Sequence, residues 1–349
     1  MSPKVTVVVP TYNSARWVVP TLESVLGQTY PLEDVELIVI DDASPDDSVA
    51  VVNAFLAGKP IAHRVMARTK NVGVGASRNV AWREAKGEWI QALDADDLLA
   101  PHKLRCQMDV AMNGPPDLAV VYSNWQALTL QGEEWAPSGP IHAPTVDDDP
   151  VVRILEEHLF GYVGPALVRK SYLERIGGFM ERPNIGEDLD LMLRIAMAGG
   201  RFRQAPSQAA AFLYRHTPGS LWRVSAKKVV PMRNLLETIR GAEEFLRARS
   251  ANGVLSARER RALGRRYLRS VDHYLENDAR SFEDLLRWVG ELDLAYPPDS
   301  GVGMRVLSRA VGLERALRTR GALRRLKERV QTARDAAKTA IRARSARPG

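Results

Sequence analysis

The sequence predicts an α/β fold, in which a mixed, mainly parallel sheet is flanked by helices and is followed by an α-helical C-terminal region. Two observations predict it. In the first hundred residues, four short apolar runs alternate with stretches that carry a helical period, which is the pattern of strands joined by crossover helices. Beyond about residue 225, the strand-like runs give way to helical periodicity alone.

The apolar runs and the periodic stretches define the elements in order. Strands are expected at residues 5–9, 35–40, 63–67, 89–93 and 120–123. Helices are expected at residues 15–26, 48–57 and 75–85. The segment 131–149 is rich in Pro, Gly and Asp, so we expect a mobile loop there.

Three regions follow from this pattern. A catalytic domain is expected at residues 1–224, a helical extension at 225–300, and a basic helical tail at 301–349. In the extension, Ser256 with Glu259 and Ser281 with Asp284 have the spacing of helix capping boxes.

Length and composition exclude several classes of protein. The 349 residues are enough for about two folded units, and Cys106 is the only cysteine, so there is no disulfide framework. No stretch has the roughly eighteen apolar residues of a membrane-spanning helix. The first apolar run is too short for a signal peptide, so we expect a cytoplasmic protein.

The positive charge is concentrated at the C-terminus. Residues 301–349 hold fourteen Arg and Lys against three Asp and Glu, a net charge of +11, so the first 300 residues carry −4. Within residues 304–341 the apolar residues recur at steps of three and four, which predicts a basic amphipathic helix. Such a helix either binds an anionic membrane surface, giving a peripheral location on the inner face of the cell membrane, or packs on the body or on a second subunit. No nucleic acid is expected, because aromatic residues are not interleaved with the basic ones.

A cluster of carboxylates follows the expected fourth strand. Asp94 and Asp96 alternate in a D-x-D pattern, and Asp97 comes directly after them. Along a strand, Asp94 and Asp96 would point to the same side, where they could hold Mg²⁺ together with substrate phosphates. The alternative is a solvated acidic turn.

Further polar loops are expected on the same edge of the sheet, because open parallel sheets bind ligands at the carboxyl ends of their strands. Asp41 and Asp42 follow the second strand, where a carboxylate either accepts the ring N–H of a nucleobase or forms an Asx turn. Thr11, Tyr12 and Asn13 follow the first strand and offer a flat ring and polar groups.

The glycine-rich segment 71–79 does not match the dinucleotide-binding fingerprint, since the third glycine would fall at Arg78. It can still present backbone N–H groups to a phosphate or a sugar, or it is a plain turn between strand and helix.

Two later segments complete the set of candidates. Glu187 and Asp188 open a helix after Gly186, where acids either offset the helix dipole or act as a general base. His216 follows Arg215 and is either a structural residue or a contact to a metal or phosphate.

Taken together, these segments resemble glycosyltransferase family 2 in their order and spacing over roughly residues 3–220. The resemblance rests on residues 5–13, 39–46, 71–79 and 93–97, on Gly177-Gly178-Phe179, and on Glu187-Asp188. It implies a GT-A fold, a Rossmann-like α/β domain that binds a nucleotide-diphosphate sugar with a divalent metal. It further implies a hexosyltransferase-type enzyme that transfers the sugar with inversion.

The resemblance also implies roles for individual residues in binding the nucleotide sugar. Thr11 and Tyr12, with Asn13, would contact the base, and Asp42 or Asp41 would accept its ring N–H. Asp94 would reach the ribose or the sugar. The remaining nucleotide-sugar contacts would be Asn71, Gly73, Arg78 and Ala95.

For the chemistry, the resemblance implies that Asp96 ligates Mg²⁺ or Mn²⁺ bridging the diphosphate, with His216 near the same group. Asp188 would deprotonate the acceptor hydroxyl, with Glu187 as the fallback for that role. Residues 161–179 would line the acceptor side.

The chain departs from part of the family's pattern. The Gln-x-x-Arg-Trp motif of processive members is absent around Trp222, so we expect single transfer. The expected function is metal-dependent transfer from a nucleotide-diphosphate sugar, by default a UDP-sugar, to a hydroxyl of a glycan, glycolipid or small molecule, in cell-surface glycan or glycolipid biosynthesis. The alternatives are a nucleotidyltransferase of related fold and a catalytically silent sugar- or membrane-binding protein.

Overall fold

The structure is a computed structural model that describes residues 4–146, 149–156, 163–181, 186–207, 209–218, 229–269, 278–292, and the single residues 315, 318 and 319. The chain divides into two compact units, Met1–Arg249 and Ser250–Gly349. The first unit includes residues 229–249, which the sequence analysis assigned to the helical extension. Apart from three single residues, the basic helix expected at 304–341 lies outside the described residues.

Eleven strands are found among the described residues. They are β1 Val5–Thr11, β2 Val35–Asp41, β3 Ala62–Ala67, β4 Trp89–Ala92, β5 Leu98–Leu99, β6 Leu118–Tyr122, β7 Trp125–Gln131, β8 Glu134–His142, β9 Ala166–Arg169, β10 Arg201–Gln204 and β11 Phe212–Arg215.

The described helices are interspersed with these strands up to β11 and follow one another after it. They are α1 Val18–Leu26, α2 Ser48–Leu56, α3 Val74–Glu84, α4 Lys103–Met112, α5 Pro150–Glu156, α6 Lys170–Ile176, α7 Glu187–Met197, α8 Val229–Arg249, α9 Ala257–Leu268 and α10 Ala279–Glu291. Every strand and helix expected in the first hundred residues is confirmed, with small shifts at the ends.

A seven-stranded sheet forms the centre of the first unit, with strand order β10-β6-β9-β4-β1-β2-β3. Strand β9 runs antiparallel to its neighbours β4 and β6, and the other pairings are parallel. All residues of β1 and β2 are buried, as expected for central strands covered on both faces. The mixed, mainly parallel sheet predicted from the sequence is therefore confirmed.

A second sheet of four strands, ordered β5-β11-β7-β8, corrects one sequence-based expectation. Residues 131–149 were expected to be a loop, but residues 134–142 pair with β7 as the antiparallel strand β8. Pro137, Gly139 and Pro140 hide this strand in the sequence. Proline is tolerated there because β8 is an edge strand and need not donate on its outer side.

The directions of the strands place several loops on one edge of the large sheet. The carboxyl ends of β1, β2, β3, β4, β6 and β10 point to the same edge, because β4 and β6 are both antiparallel to β9. The residues immediately before β9 reach this edge from the opposite direction. We call it the carboxyl edge.

In the second unit, one capping signal is confirmed and one is corrected. Ser256 caps α9 in a complete capping box with Glu259. Helix α10 begins earlier than expected, because Asp278 accepts a hydrogen bond from the backbone N–H of Ser281 at 3.3 Å. In the described part of the chain, no helix is both long and apolar enough to cross a membrane.

Candidate functional site

The loops that follow β1, β2 and β4 meet at the carboxyl edge. The backbone N–H of Asp42 donates to the carbonyl of Thr11 at 2.9 Å, and the N–H of Leu93 donates to the carbonyl of Val8 at 2.9 Å. These bonds continue the parallel ladder one step beyond the strands, so the polar residues that follow are held in a fixed relation to one another.

Asp42 holds the glycine-rich segment in place. Its carboxylate accepts hydrogen bonds from the backbone N–H groups of Val72 at 3.1 Å and Gly73 at 2.8 Å, and Arg68 lies 3.7 Å away. Gly73 has a φ of +94°, a conformation that favours glycine. The loop after β3 is therefore anchored to the end of β2.

Asp41 forms the Asx turn that the sequence analysis left open. Its carboxylate accepts from the backbone N–H of Ser44 at 2.9 Å and from the hydroxyl of Thr11 at 2.9 Å. Both Asp41 and Thr11 are buried. They bond to one another and to the loop itself, so these two residues shape the loop that presents their neighbours.

Two exposed apolar side chains lie on the segments attached to this acidic pair. Tyr12 is 49% exposed and Val72 is 37% exposed, so both present apolar surface to the solvent at the carboxyl edge. Asn13 and Asn71 are also exposed. Asn13 has a φ of +54°, a left-handed conformation that Asn tolerates better than most residues.

Residues 94–97 form a turn rather than a continuation of strand β4, which ends at Ala92. The backbone N–H of Asp97 donates to the carbonyl of Asp94 at 3.0 Å and closes the turn. Asp94 and Asp96 are partly exposed, whereas Asp97 is buried. Asp97 thus differs from the other two in its burial, and the three residues lie in a turn instead of along a strand, as the sequence analysis had assumed for Asp94 and Asp96.

The carboxylates of Asp96 and Asp97 accept hydrogen bonds from residues at and just after the end of strand β11. The Thr217 hydroxyl donates to Asp96 Oδ2 at 2.5 Å, and the backbone N–H of Arg215 donates to Asp97 Oδ1 at 2.8 Å. Burial and the nearby charge of Asp94 raise the pKa of Asp96. Burial and the charges of Asp96 and Asp94 raise the pKa of Asp97 well above its ordinary value.

Arg78 joins the acidic turn to the start of helix α7. Its side chain is only 2% exposed. One terminal nitrogen donates to Asp94 Oδ1 at 2.6 Å, and the other donates to Asp188 Oδ1 at 3.2 Å and lies 3.8 Å from Glu187. One buried guanidinium therefore gathers three carboxylates from two segments that are distant in sequence.

Asp188 has the environment of a group that is costly to ionise. It lies in the first turn of α7, and its Oδ2 accepts a hydrogen bond from the backbone N–H of Val163 at 2.9 Å. Burial and the charges of Glu187 and Asp94 raise its pKa to about 8, against the lowering effect of Arg78. A carboxylate with a raised pKa is a suitable proton acceptor near neutral pH.

Asn79 fixes the segment that ends in Gly177-Gly178-Phe179. Its side chain is buried, donates to the carbonyl of Phe179 at 2.8 Å and accepts from the backbone N–H of the same residue at 2.8 Å. A Cβ on Gly178 would lie 2.3 Å from Asn79 Oδ1, and a Cβ on Gly75 would lie 2.1 Å from the carbonyl oxygen of Met180. These glycines allow the expected acceptor side to pack closely against α3.

His216 lies just beyond β11, with its ring at 5.0 Å from that of Tyr214 in an edge-to-face arrangement. Its backbone N–H donates to the carbonyl of Leu128 at 2.9 Å. No described contact joins His216 to Asp96, although the next residue, Thr217, contacts Asp96 directly. The assignment of His216 to the metal remains a prediction.

The acidic turn suits a divalent cation that the substrate helps to bind. Asp94 Oδ2 and Asp96 Oδ1 accept no hydrogen bond from any other described residue, so each carboxylate keeps an oxygen available for a ligand. Where the structure describes the chain, no three His, Cys, Asp or Glu side chains form a ready-made metal site. Mg²⁺ and similar hard cations are commonly held by one or two carboxylates plus phosphate oxygens, and this donor set fits that arrangement.

Sequence reasoning missed the residues that hold the candidate side chains. Thr217 and the backbone of Val163 contact Asp96 and Asp188 respectively. Thr217 follows the histidine that the sequence marked, so its position carried a weak signal. Val163 acts through its backbone, which has no signature in a single sequence.

Comparison with known proteins adds sequence and structural relatives. The model of the family "Glycosyl transferase family 2" matches residues 6–177. The succinoglycan biosynthesis protein ExoO of Rhizobium meliloti (strain 1021) is 32% identical over 269 residues, which cover 75% of this chain and 73% of that protein.

Two solved structures share the fold. TarS of S. aureus, in complex with UDP-GlcNAc, superposes with a TM-score of 0.65 at 18% identity, over 92% of each chain. The mannosyltransferase PcManGT from Pyrobaculum calidifontis, in complex with GDP-Man and Mn²⁺, superposes with a TM-score of 0.54 at 20% identity, over 92% of this chain and 84% of that one. These likenesses establish that the chain has the GT-A fold.

Proposed function

Because this chain belongs to glycosyltransferase family 2 and is an enzyme of the glycosyltransferase type, we propose that it transfers one sugar at a time from a nucleotide-diphosphate sugar to an acceptor hydroxyl, with inversion. The donor is by default a UDP-sugar, and the product belongs to a cell-surface glycan or glycolipid. The observation that carries the proposal is the contact of one buried guanidinium, Arg78, with both Asp94 and Asp188. Through this contact the carboxylate proposed to bind the donor and the proposed base lie next to the same guanidinium.

On the donor side, the nucleobase is proposed to lie between the exposed Tyr12 and Val72, against Asp42. The Asp42 carboxylate has about four lone-pair positions. The N–H of Val72 reaches both of its oxygens and the N–H of Gly73 reaches one, and the position that remains is proposed to accept a ring N–H of the base. Uracil and guanine both carry such a ring N–H. The similar proteins TarS and PcManGT were solved with UDP-GlcNAc and GDP-Man, which supports a donor with one of these bases.

A divalent metal, Mg²⁺ or Mn²⁺, is proposed to be held by Asp96 with the donor diphosphate, near His216. When bound, such an ion supplies a Lewis acid that stabilises the negative charge developing on the leaving diphosphate. Asp94, whose Oδ2 accepts no hydrogen bond from the residues that the structure describes, is proposed to orient the ribose or the sugar. PcManGT was solved with Mn²⁺, which supports the use of a divalent ion.

The chemical step assigned to the chain's own residues is a proton transfer. Asp188 accepts the proton of the acceptor hydroxyl. At the same time, the oxygen of that hydroxyl attacks the anomeric carbon on the face opposite the diphosphate. The new carbon–oxygen bond forms as the bond to the diphosphate breaks, and the nucleoside diphosphate leaves with the bonding electrons. Arg78 orients the Asp188 carboxylate through Oδ1, and the backbone of Val163 orients it through Oδ2.

The acceptor is proposed to approach along the segment that Asn79 fixes at Phe179. The similarity to a succinoglycan biosynthesis protein supports a glycan or glycolipid over a small molecule. Contact of residues 304–341 with an anionic membrane surface, which would bring the enzyme to a lipid-linked acceptor, is part of the proposal, although those residues lie largely outside the described ones.

Removal of the metal ligand tests the proposed donor site. We expect Asp96→Asn to reduce nucleoside diphosphate release at least about 100-fold, because the stabilisation of the leaving group is lost. Chelation by EDTA should have the same effect on the wild-type chain, and added Mn²⁺ should reverse it. Asp109→Asn, which changes an exposed carboxylate on α4, is the matched control. Full activity of Asp96→Asn in EDTA would exclude the metal-dependent mechanism.

The raised pKa of Asp188 gives an expected pH dependence. The base must be ionised to accept a proton, and its pKa in the free enzyme is about 8, so kcat/KM should rise with pH and level off above that value. Below it, kcat/KM should fall about tenfold per pH unit, as the ionised fraction does. Initial rates from pH 6 to pH 9.5 at low donor concentration test this. A flat profile across this range would mean that Asp188 is not the base.

A further inference from the structure

Arg215 is buried next to the acidic turn and contacts the backbone of that turn through its side chain. Its side chain is among the largest fully buried ones, and the residue is 2% exposed. Its Nε donates to the carbonyl of Asp96, and its Nη2 donates to the carbonyl of Trp17 at 3.0 Å and to the hydroxyl of Thr21 at 2.9 Å. One guanidinium thus connects the turn to the beginning of helix α1.

Thr21 extends this arrangement to the next carbonyl of the turn. Its hydroxyl donates to the carbonyl of Ala95 at 2.8 Å while accepting from Arg215. Both central carbonyls of the turn, those of Ala95 and Asp96, are therefore held by hydrogen bonds from Thr21 and Arg215. Since the Asp96 carboxylate is attached to the same backbone, its direction depends on these bonds.

The guanidinium is covered by an aromatic ring from the second sheet. The guanidinium carbon of Arg215 lies 5.5 Å from the centroid of the Trp135 ring. The Trp17 ring meets Trp135 edge to face, with centroids 6.1 Å apart and planes at 71°. Contacts of a cation with an aromatic face are stronger when water is excluded, and a planar guanidinium loses little freedom when it is already held by such a face.

Trp135 reaches Arg215 from the edge strand that the sequence did not reveal. It pairs with Leu130 near the tip of the β7–β8 hairpin, and β7 pairs with β11, which carries Arg215. Much of β8 is exposed, including Ile141 at 42%, whereas Trp135 is half-buried. The hairpin therefore places one large side chain against the residue that supports the acidic turn.

We propose that Trp135 is a positioning residue for the donor diphosphate and its metal ion, acting through Arg215 on the backbone of Ala95 and Asp96. The inference rests on the proposed function, because it concerns the affinity of that site for the metal and the nucleotide. Without the Trp135 ring, water reaches the guanidinium and competes for its hydrogen bonds. The turn then loses its fixed geometry. The Asp188 carboxylate keeps its orientation, because Arg78 and the backbone of Val163 hold it.

We expect the affinity for the metal ion to fall by a larger factor than kcat. For Trp135→Leu, which keeps much of the apolar volume but removes the aromatic face, we expect the Mn²⁺ concentration for half-maximal activity to rise about tenfold. At saturating Mn²⁺ and donor, kcat should stay within about threefold of wild type. Trp135→Phe, which keeps a face, should lie near wild type, and Ile141→Ala on the same strand should not differ from it.

Binding without turnover gives an independent readout. Isothermal titration of Mn²⁺ into the full chain with saturating UDP should show the same tenfold weakening for Trp135→Leu, while circular dichroism shows an unchanged fold. Trp135→Ala extends the series. If that variant does not fold, the comparison of Trp135→Leu with Trp135→Phe tests the inference. Wild-type Mn²⁺ affinity in a folded Trp135→Leu overturns this inference alone. Absence of Mn²⁺ binding by the wild-type chain in the presence of UDP overturns both the inference and the proposed donor site.

Discussion

Asp188→Asn should lower kcat by about 10²–10⁴-fold, the usual contribution of a general base, while nucleotide binding remains. Asn is nearly isosteric with Asp, and its side-chain oxygen can still accept from Arg78. It cannot take a proton from the acceptor hydroxyl. The backbone N–H of Val163, which now donates to Asp188 Oδ2 at 2.9 Å, would lose its carboxylate partner, at a cost of about 1–3 kcal/mol in stability.

Glu187→Gln is the matched control, because Glu187 lies beside Asp188 in the same helical turn and near the same guanidinium. We expect its effect on kcat to be much smaller. The measurement is steady-state release of nucleoside diphosphate, with UDP affinity measured in parallel by calorimetry. If Glu187→Gln abolished transfer and Asp188→Asn did not, Glu187 would be the base. If neither did, both acids would only offset the dipole of α7.

Arg78→Met should have the largest effect on stability. Arg78 is a buried cation that lies 2.6 Å from Asp94 and 3.2 Å from Asp188. Its removal deprives these two carboxylates, and that of Glu187, of their ion pair with the guanidinium. Breaking a buried ion pair from one side costs about 3–5 kcal/mol. The pKa of Asp188 should also rise further above its ordinary value, since Arg78 is the charge that lowers it.

Urea denaturation followed by circular dichroism measures the change in the free energy of unfolding. Arg83→Met serves as the control, because Arg83 lies on the same helix and pairs with Glu181 at the surface, 3.7 Å away and with a side chain 50% exposed. Exposed pairs contribute about 0–1 kcal/mol. Arg78→Lys keeps the charge but cannot reach both carboxylates with a planar fork. Because Arg78 lowers the pKa of Asp188, we expect the acid limb of the kcat/KM profile to move to higher pH in this variant. A shift to lower pH would contradict the role given to Arg78.

The carboxyl edge could be anticipated from the sequence, but the site on it could not be assembled from the sequence alone. The apolar runs before Thr11, Asp41 and Asp94 mark the ends of strands, and parallel strands bring their carboxyl ends together. The contact between Arg78 and Asp188 spans 110 positions. No local pattern reports such a contact, and only the family resemblance linked the two segments.

Other features escaped the sequence for identifiable reasons. The prolines of β8 are breaker signals, and their tolerance at an edge strand depends on sheet order, which the sequence does not display. Trp135 and Arg215 were therefore not connected. Asp42 and Asp41 have similar neighbours in the chain, yet one anchors the glycine-rich loop and the other closes an Asx turn. That difference arises from tertiary contacts with Gly73 and Thr11.

The most direct test of the central claim is the identity of the product released from the donor. The full chain is incubated with a panel of UDP-, dTDP- and GDP-sugars and candidate glycan or glycolipid acceptors, with Mn²⁺ or with EDTA, and the released nucleotide is identified. We expect a nucleoside diphosphate from at least one donor in Mn²⁺, no release in EDTA, and release at most about one hundredth as fast from Asp188→Asn. Release that is unchanged in Asp96→Asn and Asp188→Asn, or pyrophosphate as the product, would contradict the account.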